Sequence, residues 1–366
     1  MKVLLSGGGT AGHINPALAI AKRIKKSYPH AEIAFVGTPN GMENRLVPKE
    51  GFPLYHVTVR GFMRKITLKN IFRNMDAVIK AITSQCKAKK IIADFQPDLV
   101  IGTGGYVSWP VLKAAADVGI PTAVHEQNAV CGVTTKMLSK HVDKVMVSFP
   151  DTTGVTCPTI LTGNPIRPDM LSKSKEARRK EIGITLPYVL SFGGSLGAAP
   201  VNEAVYDMMK ADRYDNTYVH THAFGKAGWE AFCKRAEEDK LEQKKNVELK
   251  EYIYDMPTRM GAADLVICRA GAITLAELAA LGKPAILIPS PYVTNHHQYK
   301  NAKVFADVGA AILLEEKNMN GDVLRNTVHQ LLSSPDRLSA MSKAAKSLAL
   351  PDADDKIMEV LEELLH

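Results

Sequence analysis

The chain alternates short apolar runs, most of them followed closely by glycine, with segments of helical periodicity, and it does so twice. In the first half the apolar runs are Lys2–Ser6, Glu32–Val36, Asp98–Ile101 and Pro121–His125. In the second half they are Tyr188–Phe192, Tyr218–Thr221, Asp264–Ile267 and Ala285–Ile288. Strands of a parallel sheet are buried on both faces, so they read as continuous apolar runs, and helices fill the crossovers. The pattern predicts an α/β chain of two doubly wound, Rossmann-like domains.

Chain length agrees with two domains. The 366 residues exceed the ~150 residues of a typical single domain. Two prolines and a glycine interrupt the pattern in the segment Thr162–Pro168, which follows the last run of the first half. We therefore expect the domain boundary between residues 162 and 163.

Composition excludes several classes of protein. With 46% hydrophobic and 23% charged residues the chain is neither disordered, collagen-like nor a coiled coil. Its apolar runs fall far short of the ~18 residues of a membrane span. Ser6 and three glycines follow Met1–Leu5 where a signal peptide would need its apolar stretch, so we expect a cytoplasmic chain. The five cysteines form no CxxC pair, which argues against a disulfide framework or a zinc site.

Positive charge is concentrated in the segment Arg60–Lys90. The whole chain has a net charge of +8, and this segment holds nine basic residues against one acid. Acids and bases balance in the rest of the chain. Such a basic surface suits a polyanion, either anionic lipid headgroups or nucleic acid. Only Phe62 and Phe72 could stack on bases, so nucleic acid is poorly supported.

Three glycine-rich turns follow predicted strands. Gly7, Gly9 and Gly12 match the G-x-G-x-x-G pattern of dinucleotide-binding domains, in which backbone N–H groups hold phosphate. A nicotinamide enzyme would also need an acid at the end of the second strand, and Gly37-Thr38-Pro39 stands there. Similar turns occur at Gly102–Tyr106 and Phe192–Gly197. Three turns of this kind predict a cleft that holds several phosphates, at the carboxyl ends of the strands.

Two further motifs carry polar side chains. Glu277 is predicted near the first turn of a helix, where a carboxylate either complements the helix dipole or accepts two ribose hydroxyls. The residues alone do not decide between these two interpretations of Glu277. His296-His297 has no third ligand at metal-binding spacing, so we predict no metal site there.

Taken together, these motifs resemble the MurG family of peptidoglycan N-acetylglucosaminyltransferases. The resemblance rests on Gly8–His13, Gly104-Gly105-Tyr106, His125–Asn128, Gly163-Asn164-Pro165, Gly193-Gly194-Ser195 and Gln298, in order along nearly the whole chain. It implies a GT-B fold, with two Rossmann-like domains facing across a cleft and the last helix crossing back to the first domain. The domains are then 1–162 plus about 350–366, which meets acceptor and membrane, and 163–349, which binds UDP-GlcNAc.

The resemblance also implies a reaction. N-acetylglucosamine passes, with inversion, from UDP-GlcNAc to the C4 hydroxyl of MurNAc-pentapeptide on undecaprenyl diphosphate. The implied donor contacts are Thr10, Ala11, Gly12, Asn128, Arg167, Ser195, Ile253, Ala272, Ile273, Thr274, Leu275, Ala276, Glu277 and Gln298. Among these, Glu277 would hold the ribose, Ile253 the uracil and Gln298 the sugar. Two positions depart from the family pattern: Ala11 replaces a common glycine, and His297 stands where some members have a second glutamine.

Inverting transfer needs a base that takes the proton of the acceptor hydroxyl. His13 suits this role because an imidazole titrates near neutral pH, and Glu126 is the rival base. The acceptor diphosphate is assigned to Gly9, Gly104, Gly105 and Tyr106. Ser195 and helix N-termini would stabilise the leaving diphosphate. We therefore expect no metal site and no tightly bound cofactor, with free Mg²⁺ as an option.

The expected partners are UDP-GlcNAc, the undecaprenyl-linked acceptor and anionic lipids, without nucleic acid. The chain is then a peripheral protein on the cytoplasmic side of the cell membrane. Another lipid acceptor, such as a diacylglycerol, is the alternative within this fold, and an NAD-dependent oxidoreductase is the alternative outside it. Protein partners, oligomeric state and the peptide-stem variant are open.

Overall fold

A computed structural model describes residues 1–59, 83–194, 196–241 and 244–366. Contacts divide the chain into two compact units: unit 1 is Met1–Ile166 with Pro351–His366, and unit 2 is Arg167–Leu350. This boundary lies four residues beyond the expected one at 162 and 163. None of the helices in the described ranges is long and apolar enough to span a membrane.

Unit 1 is a parallel sheet with helices on both faces. Its strands are β1 (Lys2–Gly7), β2 (Glu32–Gly37), β3 (Leu54–His56), β4 (Leu99–Gly104), β5 (Thr122–Glu126), β6 (Lys144–Val147) and β7 (Thr159–Leu161). Its helices are α1 (Ala11–Ser27), α2 (Glu43–Lys49), α3 (described over 83–95), α4 (Ser108–Asp117), α5 (Val133–Leu138) and, from the end of the chain, α14 (Ala353–Leu365). The strand order is β3-β2-β1-β4-β5-β6-β7.

Strand β1 lies in the middle of this sheet. Leu5 pairs with Phe35 of β2 and with Ile101 of β4, all in parallel register. Successive side chains of a strand point to opposite faces. Leu5 accordingly joins the cluster packed under α1, whereas Leu4 joins the cluster under α4. Both faces of β1 are buried, which explains its continuous apolar sequence.

The last helix, α14, belongs to unit 1. Its residues Ile357 and Leu361 are buried in the same cluster as α1. At the rim, Arg23 donates to Asp355 at 2.7 Å and the Tyr28 hydroxyl donates to Glu362 at 2.8 Å. The expected return of the final helix to the first domain is therefore confirmed.

Unit 2 repeats the plan with six parallel strands. The strands are β8 (Tyr188–Phe192), β9 (Val219–Ala223), β10 (Val247–Lys250), β11 (Leu265–Cys268), β12 (Ala285–Leu287) and β13 (Ala311–Leu313), in the order β10-β9-β8-β11-β12-β13. The helices are α6 (Lys175–Glu181), α7 (Ala199–Ala211), α8 (Trp229–Glu238), α9 (Met256–Ala262), α10 (Ala272–Leu281), α11 (His297–Asp307), α12 (Gly321–Leu332) and α13 (Pro335–Ser347).

The predicted α/β class and its repetition are confirmed, with differences in detail. Sequence patterns did not predict β3, β6, β7, β10 or β13, which have three or four residues each and lie at or next to sheet edges. Runs this short carry too little periodicity to be recognised. The helix expected over Leu68–Cys86 lies outside the described residues, except for 83–86.

Candidate functional site

In unit 1 the sequence motifs meet at the carboxyl edge of the sheet. Strands β1, β4 and β5 are neighbours, run parallel and end at Gly7, Gly104 and Glu126. The first glycine turn, the Gly104-Gly105 turn and the segment His125–Asn128 therefore start from the same edge. This edge is where open α/β sheets bind ligands.

His13 stands in the first turn of α1, and its imidazole is oriented by the glycine turn. Its Nδ1 lies 3.1 Å from the Gly8 carbonyl oxygen and 3.3 Å from the Thr10 hydroxyl. A carbonyl oxygen can only accept, so the Gly8 contact places the ring proton on Nδ1. The Nε2 lone pair is then left to accept a proton. The turn thus presents His13 in the tautomer that a base needs.

Glycine is required where the second turn meets the first. Gly104 has a φ of 106°, and a Cβ there would lie 2.8 Å from the His13 ring. A Cβ at Gly105 would lie 2.4 Å from the Gly8 carbonyl oxygen. Beside them, the Thr103 hydroxyl donates to the His13 carbonyl at 2.7 Å. Tyr106 follows with 55% of its surface exposed.

The backbone amides of the first glycine turn have partners within unit 1. The Gly8 N–H donates to the Gly104 carbonyl at 3.4 Å, and the Gly9 N–H donates to Glu43 Oε2 at 3.2 Å. The Gly9 amide, assigned from the sequence to an acceptor diphosphate, therefore serves a buried carboxylate. Ala11 and Gly12 begin α1, where N–H groups have no acceptor within the helix. Sequence reasoning missed Glu43, whose only signal was its place after Gly37 and Gly41.

Glu126 uses both carboxylate oxygens to shape the loop that follows β5. Oε1 accepts from the backbone N–H and the side-chain amide of Asn128, each at 3.1 Å, and Oε2 accepts from the Gly132 N–H at 2.9 Å. Glu126 is buried. This arrangement fits a residue that fixes the position of Asn128 better than it fits a base.

His125 and Gln127 tie the end of β5 to the Gly163-Asn164 motif. His125 Nε2 donates to the Gly163 carbonyl at 2.8 Å, and Asn164 donates to the Gln127 carbonyl at 3.0 Å. Complete burial lowers the pKa of His125, against the opposing effects of Gly163 and Glu126. His125 is therefore a neutral structural residue, and two motifs of the resemblance are joined by hydrogen bonds.

In unit 2 the glycine turn after β8 is equally tight. Gly197 has a φ of 81°, and a Cβ there would lie 2.0 Å from the Phe224 carbonyl oxygen. The Asn202 side chain of α7 donates to the same carbonyl at 2.8 Å. Ser195, assigned to the leaving diphosphate, lies outside the described residues.

Arg167 and Glu277, both assigned to the donor, are brought together. Arg167 Nε donates to Glu277 Oε1 at 3.0 Å, with the glutamate buried and the arginine side chain 46% exposed. Burial raises the pKa of Glu277, and Arg167 partly offsets this. Glu277 is the sixth residue of α10, in its second turn, where the helix dipole acts weakly. The helix-dipole interpretation of Glu277 therefore loses support.

The remaining donor residues occupy loops and helix starts of unit 2. Ala272, Ile273, Thr274, Leu275 and Ala276 open α10, directly after β11, and Ile253 lies buried after β10. Gln298 Oε1 accepts the Ser290 N–H at 2.9 Å, which orients its carboxamide. Arg269 donates to the Ile288 carbonyl at 3.1 Å and forms an ion pair with Glu316, so it fixes the start of this loop.

Within the described ranges, one cluster has the residue types of a metal site. Ligand atoms of Asp212, Asp215 and His329 lie within 4.8 Å of one another. Asp212 is already the acceptor of Tyr218, Arg325 and His329, and the Arg325 charge disfavours a cation. The cluster also lies near the start of β9, at the edge opposite the glycine turns. It belongs to none of the assigned sites.

Comparison with known families supports the resemblance drawn from the motifs. Residues 3–147 match the model of the glycosyltransferase family 28 N-terminal domain, and residues 188–357 match that of its C-terminal domain. A protein from Acetivibrio thermocellus, named UDP-N-acetylglucosamine--N-acetylmuramyl-(pentapeptide) pyrophosphoryl-undecaprenol N-acetylglucosamine transferase, is 47% identical over all of this chain and 98% of its own. A protein of the same name from Bacillus cytotoxicus is 43% identical over the full length of both chains.

Solved structures give the same result. The crystal structure of Acinetobacter baumannii MurG matches with a TM-score of 0.79 and 30% identity, over 99% of each chain. A UDP-GlcNAc 2-epimerase from Neisseria meningitidis matches with a TM-score of 0.65 at 15% identity, over 99% of this chain and all of the other, and so shows the fold alone. The resemblance drawn from the motifs is confirmed. The chain is a glycosyltransferase that belongs to glycosyltransferase family 28.

Proposed function

We propose that this chain transfers N-acetylglucosamine from UDP-GlcNAc to MurNAc-pentapeptide carried on undecaprenyl diphosphate. The observation that carries the proposal is full-length similarity, at 47% identity, to a transferase whose name states this reaction. The arrangement of His13 in unit 1 and of Arg167 with Glu277 in unit 2 supports it.

Unit 2 is proposed to bind the donor nucleotide. A carboxylate that faces a diol can accept from both hydroxyls, which suits Glu277 as the ribose ligand. Ile253 is assigned to the uracil through its backbone. The Gln298 carboxamide is already oriented by Ser290, so its N–H₂ group can serve the sugar hydroxyls. Donor contacts of Thr10, Ala11, Gly12, Asn128 and Ser195 are proposed from the resemblance.

His13 is proposed to act as the base. The acceptor C4 oxygen forms a bond to the anomeric carbon of the donor, while the bond from that carbon to the diphosphate oxygen breaks on the opposite face. The hydroxyl proton passes to His13 Nε2. We choose His13 over Glu126 because both oxygens of Glu126 accept hydrogen bonds from its own loop. No tightly bound cofactor is proposed, and free Mg²⁺ can accompany the diphosphate.

The direct test is a transfer assay. Labelled UDP-GlcNAc is incubated with a short-chain prenyl analogue of the acceptor, and with diacylglycerol in a parallel reaction. We expect labelled disaccharide lipid from the first acceptor only. Label on diacylglycerol alone would assign the chain to another lipid pathway, and label on neither acceptor would contradict the proposed transfer.

The basic segment Arg60–Lys90 is proposed to hold the chain on anionic lipids at the inner leaflet, near its lipid-borne acceptor. Residues 60–82 lie outside the described residues, so the proposal rests on charge and sequence. Each basic residue near an anionic surface contributes ~1 kcal/mol, which salt weakens.

Vesicles test this docking. Changing Arg64, Lys65, Lys69 and Arg73 to glutamate should release the protein from phosphatidylglycerol vesicles and spare activity on a detergent-solubilised acceptor. Wild-type protein that ignores such vesicles at low salt would contradict the docking surface.

A further inference from the structure

A buried carboxylate lies behind the glycine turn that orients His13. Glu43 is the first residue of α2 and is completely buried. Its Oε1 accepts from the backbone N–H of Thr38 at 2.8 Å and from the Thr38 hydroxyl at 2.7 Å. Its Oε2 accepts from the Gly9 N–H at 3.2 Å. The two oxygens thus serve two different loops at the carboxyl edge of the sheet.

The Gly9 N–H and the Gly8 carbonyl belong to the same peptide group. The N–H donates to Glu43, and the carbonyl accepts from His13 Nδ1 at 3.1 Å. Glu43 and His13 are therefore connected through one planar amide. A negative acceptor at the N–H polarises the amide, so its carbonyl becomes a stronger acceptor for the imidazole N–H.

The loops are shaped around this carboxylate. A Cβ at Gly8 would lie 2.7 Å from Glu43 Oε1, one at Gly37 would lie 2.5 Å from its Cγ, and one at Gly41 would lie 2.2 Å from its Oε2. Burial acts to raise the pKa of Glu43, but hydrogen bonds from Thr38 and Gly9 outweigh it and hold the pKa below its usual value. The side chain is therefore ionised, closely packed and fixed in orientation.

We propose that Glu43 is a positioning residue for the base, acting on His13 through the Gly8–Gly9 peptide. The carboxylate sets the plane of that peptide, the peptide carbonyl keeps the ring proton on Nδ1, and Nε2 keeps its lone pair for the acceptor hydroxyl. No proton crosses the amide. Glu43 is a carboxylate throughout, and the proton taken from the hydroxyl ends on Nε2. The inference rests on the proposed role of His13.

A residue that merely stabilises the fold would behave differently. Glu43 also joins the turn after β2 to α2, so its loss lowers stability in either case. Only the positioning role predicts a selective loss of kcat and a change of His13 tautomer. Nitrogen NMR distinguishes the two tautomers, and the His13 signal is identified by its disappearance in His13→Gln.

The experiment compares Glu43→Gln with wild type. The amide keeps the volume of the side chain but turns either a neutral oxygen or an N–H₂ group towards Gly9. We expect kcat to fall ~10–100-fold, less than the ~10⁴-fold that follows when a carboxylate in direct contact with a catalytic histidine is neutralised. KM for UDP-GlcNAc should stay within about twofold, and His13 should lose its preference for the Nδ1–H tautomer.

Asp143→Asn is the matched control. Asp143 accepts from the backbone N–H and hydroxyl of Thr122, at 2.8 and 2.7 Å, as Glu43 does from Thr38, but at the opposite edge of the sheet. Its variant should keep both kcat and the His13 tautomer. An equal loss of kcat in the two variants would overturn the positioning role.

The outcomes separate this inference from the proposed function. If His13→Gln abolishes transfer while Glu43→Gln keeps the wild-type kcat, the inference fails and the function stands. If His13→Gln keeps the wild-type rate, the base assignment fails first. If Glu43→Gln does not fold, the His13 tautomer is measured in the wild-type protein. An Nε2–H tautomer there would overturn the inference.

Discussion

The two units share one topology but equip the carboxyl edge of the sheet differently. In unit 1 the glycine-turn amides of Gly8 and Gly9 donate to groups of the unit itself, and the edge presents an oriented imidazole. In unit 2 a buried carboxylate, Glu277, has one oxygen paired to a half-exposed arginine. The comparison teaches that one topology can present an oriented imidazole at this edge in one unit and a buried carboxylate in the other. Proton transfer is thereby assigned to unit 1, and binding of the uracil and the ribose to unit 2.

Removing the His13 imidazole of unit 1 should have the largest effect on activity. In His13→Ala we expect turnover to fall by ~10²–10⁴, the usual contribution of a general base. UDP affinity should persist because the residues proposed to hold the uracil and the ribose, Ile253 and Glu277, lie in unit 2. Steady-state kinetics and calorimetry check the two statements. Near-normal turnover would remove His13 from the mechanism and return Glu126 to consideration.

Removing the Glu277 carboxylate of unit 2 should instead weaken the binding of UDP. Glu277→Ala leaves two ribose hydroxyls without their acceptor, which should weaken UDP binding by roughly 1.5–3 kcal/mol. Burial raises the pKa of Glu277. The UDP affinity of the wild-type protein should therefore begin to fall on acidification at a higher pH than it would if an exposed glutamate held the ribose. Glu203→Ala, which removes an exposed partner of Arg235, is the control and should bind UDP normally. Unchanged affinity in the Glu277 variant would leave it only a structural role.

Two buried histidines of unit 2 make the stability of the fold depend on pH. His220 and His222 of β9 both contact the Ser191 hydroxyl at 2.7 Å, and burial lowers the pKa of His222 to about 3. The unfolded chain then binds more protons below pH 6.5, so the stability that neutral His222 contributes is lost as pH falls from ~6.5 towards 3. Between pH 7 and pH 5 this amounts to about 1–2 kcal/mol.

Thermal melts against pH check this prediction. His222→Asn should lower stability at pH 7 but give a shallower decline towards pH 5. The control His30→Asn changes an exposed histidine and should keep the wild-type slope. A wild-type slope in the His222 variant would mean that other groups dominate acid unfolding.

The smallest effect is expected at the sugar. Gln298→Ala should reduce discrimination between UDP-GlcNAc and UDP-GalNAc by a few-fold, as expected for one hydrogen bond worth ~0.5–1.5 kcal/mol. UDP itself should bind as before. His297→Ala is the neighbouring control, because its Nδ1 contacts the Thr294 carbonyl at 2.9 Å. A loss of discrimination in His297→Ala instead of Gln298→Ala would assign the sugar contact to His297.

Sequence reasoning reached the fold because parallel strands buried on both faces leave a clear pattern, as β1 and β8 do. It could not find β3 or β13, whose three residues have no periodicity of their own. It named Arg167 and Glu277, but their pairing across 110 positions needed the fold. Glu43 was missed for the same reason: its link to Gly9 spans 34 positions, and a lone glutamate at a helix start looks like an ordinary charge on the helix dipole.

The division of labour between the units is tested most directly by combining two substitutions. UDP affinity and kcat are measured for His13→Gln, Glu277→Gln and the double variant. We predict that the double variant has the UDP affinity of Glu277→Gln alone and, at saturating donor, the kcat of His13→Gln alone. A loss of UDP affinity in His13→Gln as large as that in Glu277→Gln would contradict it.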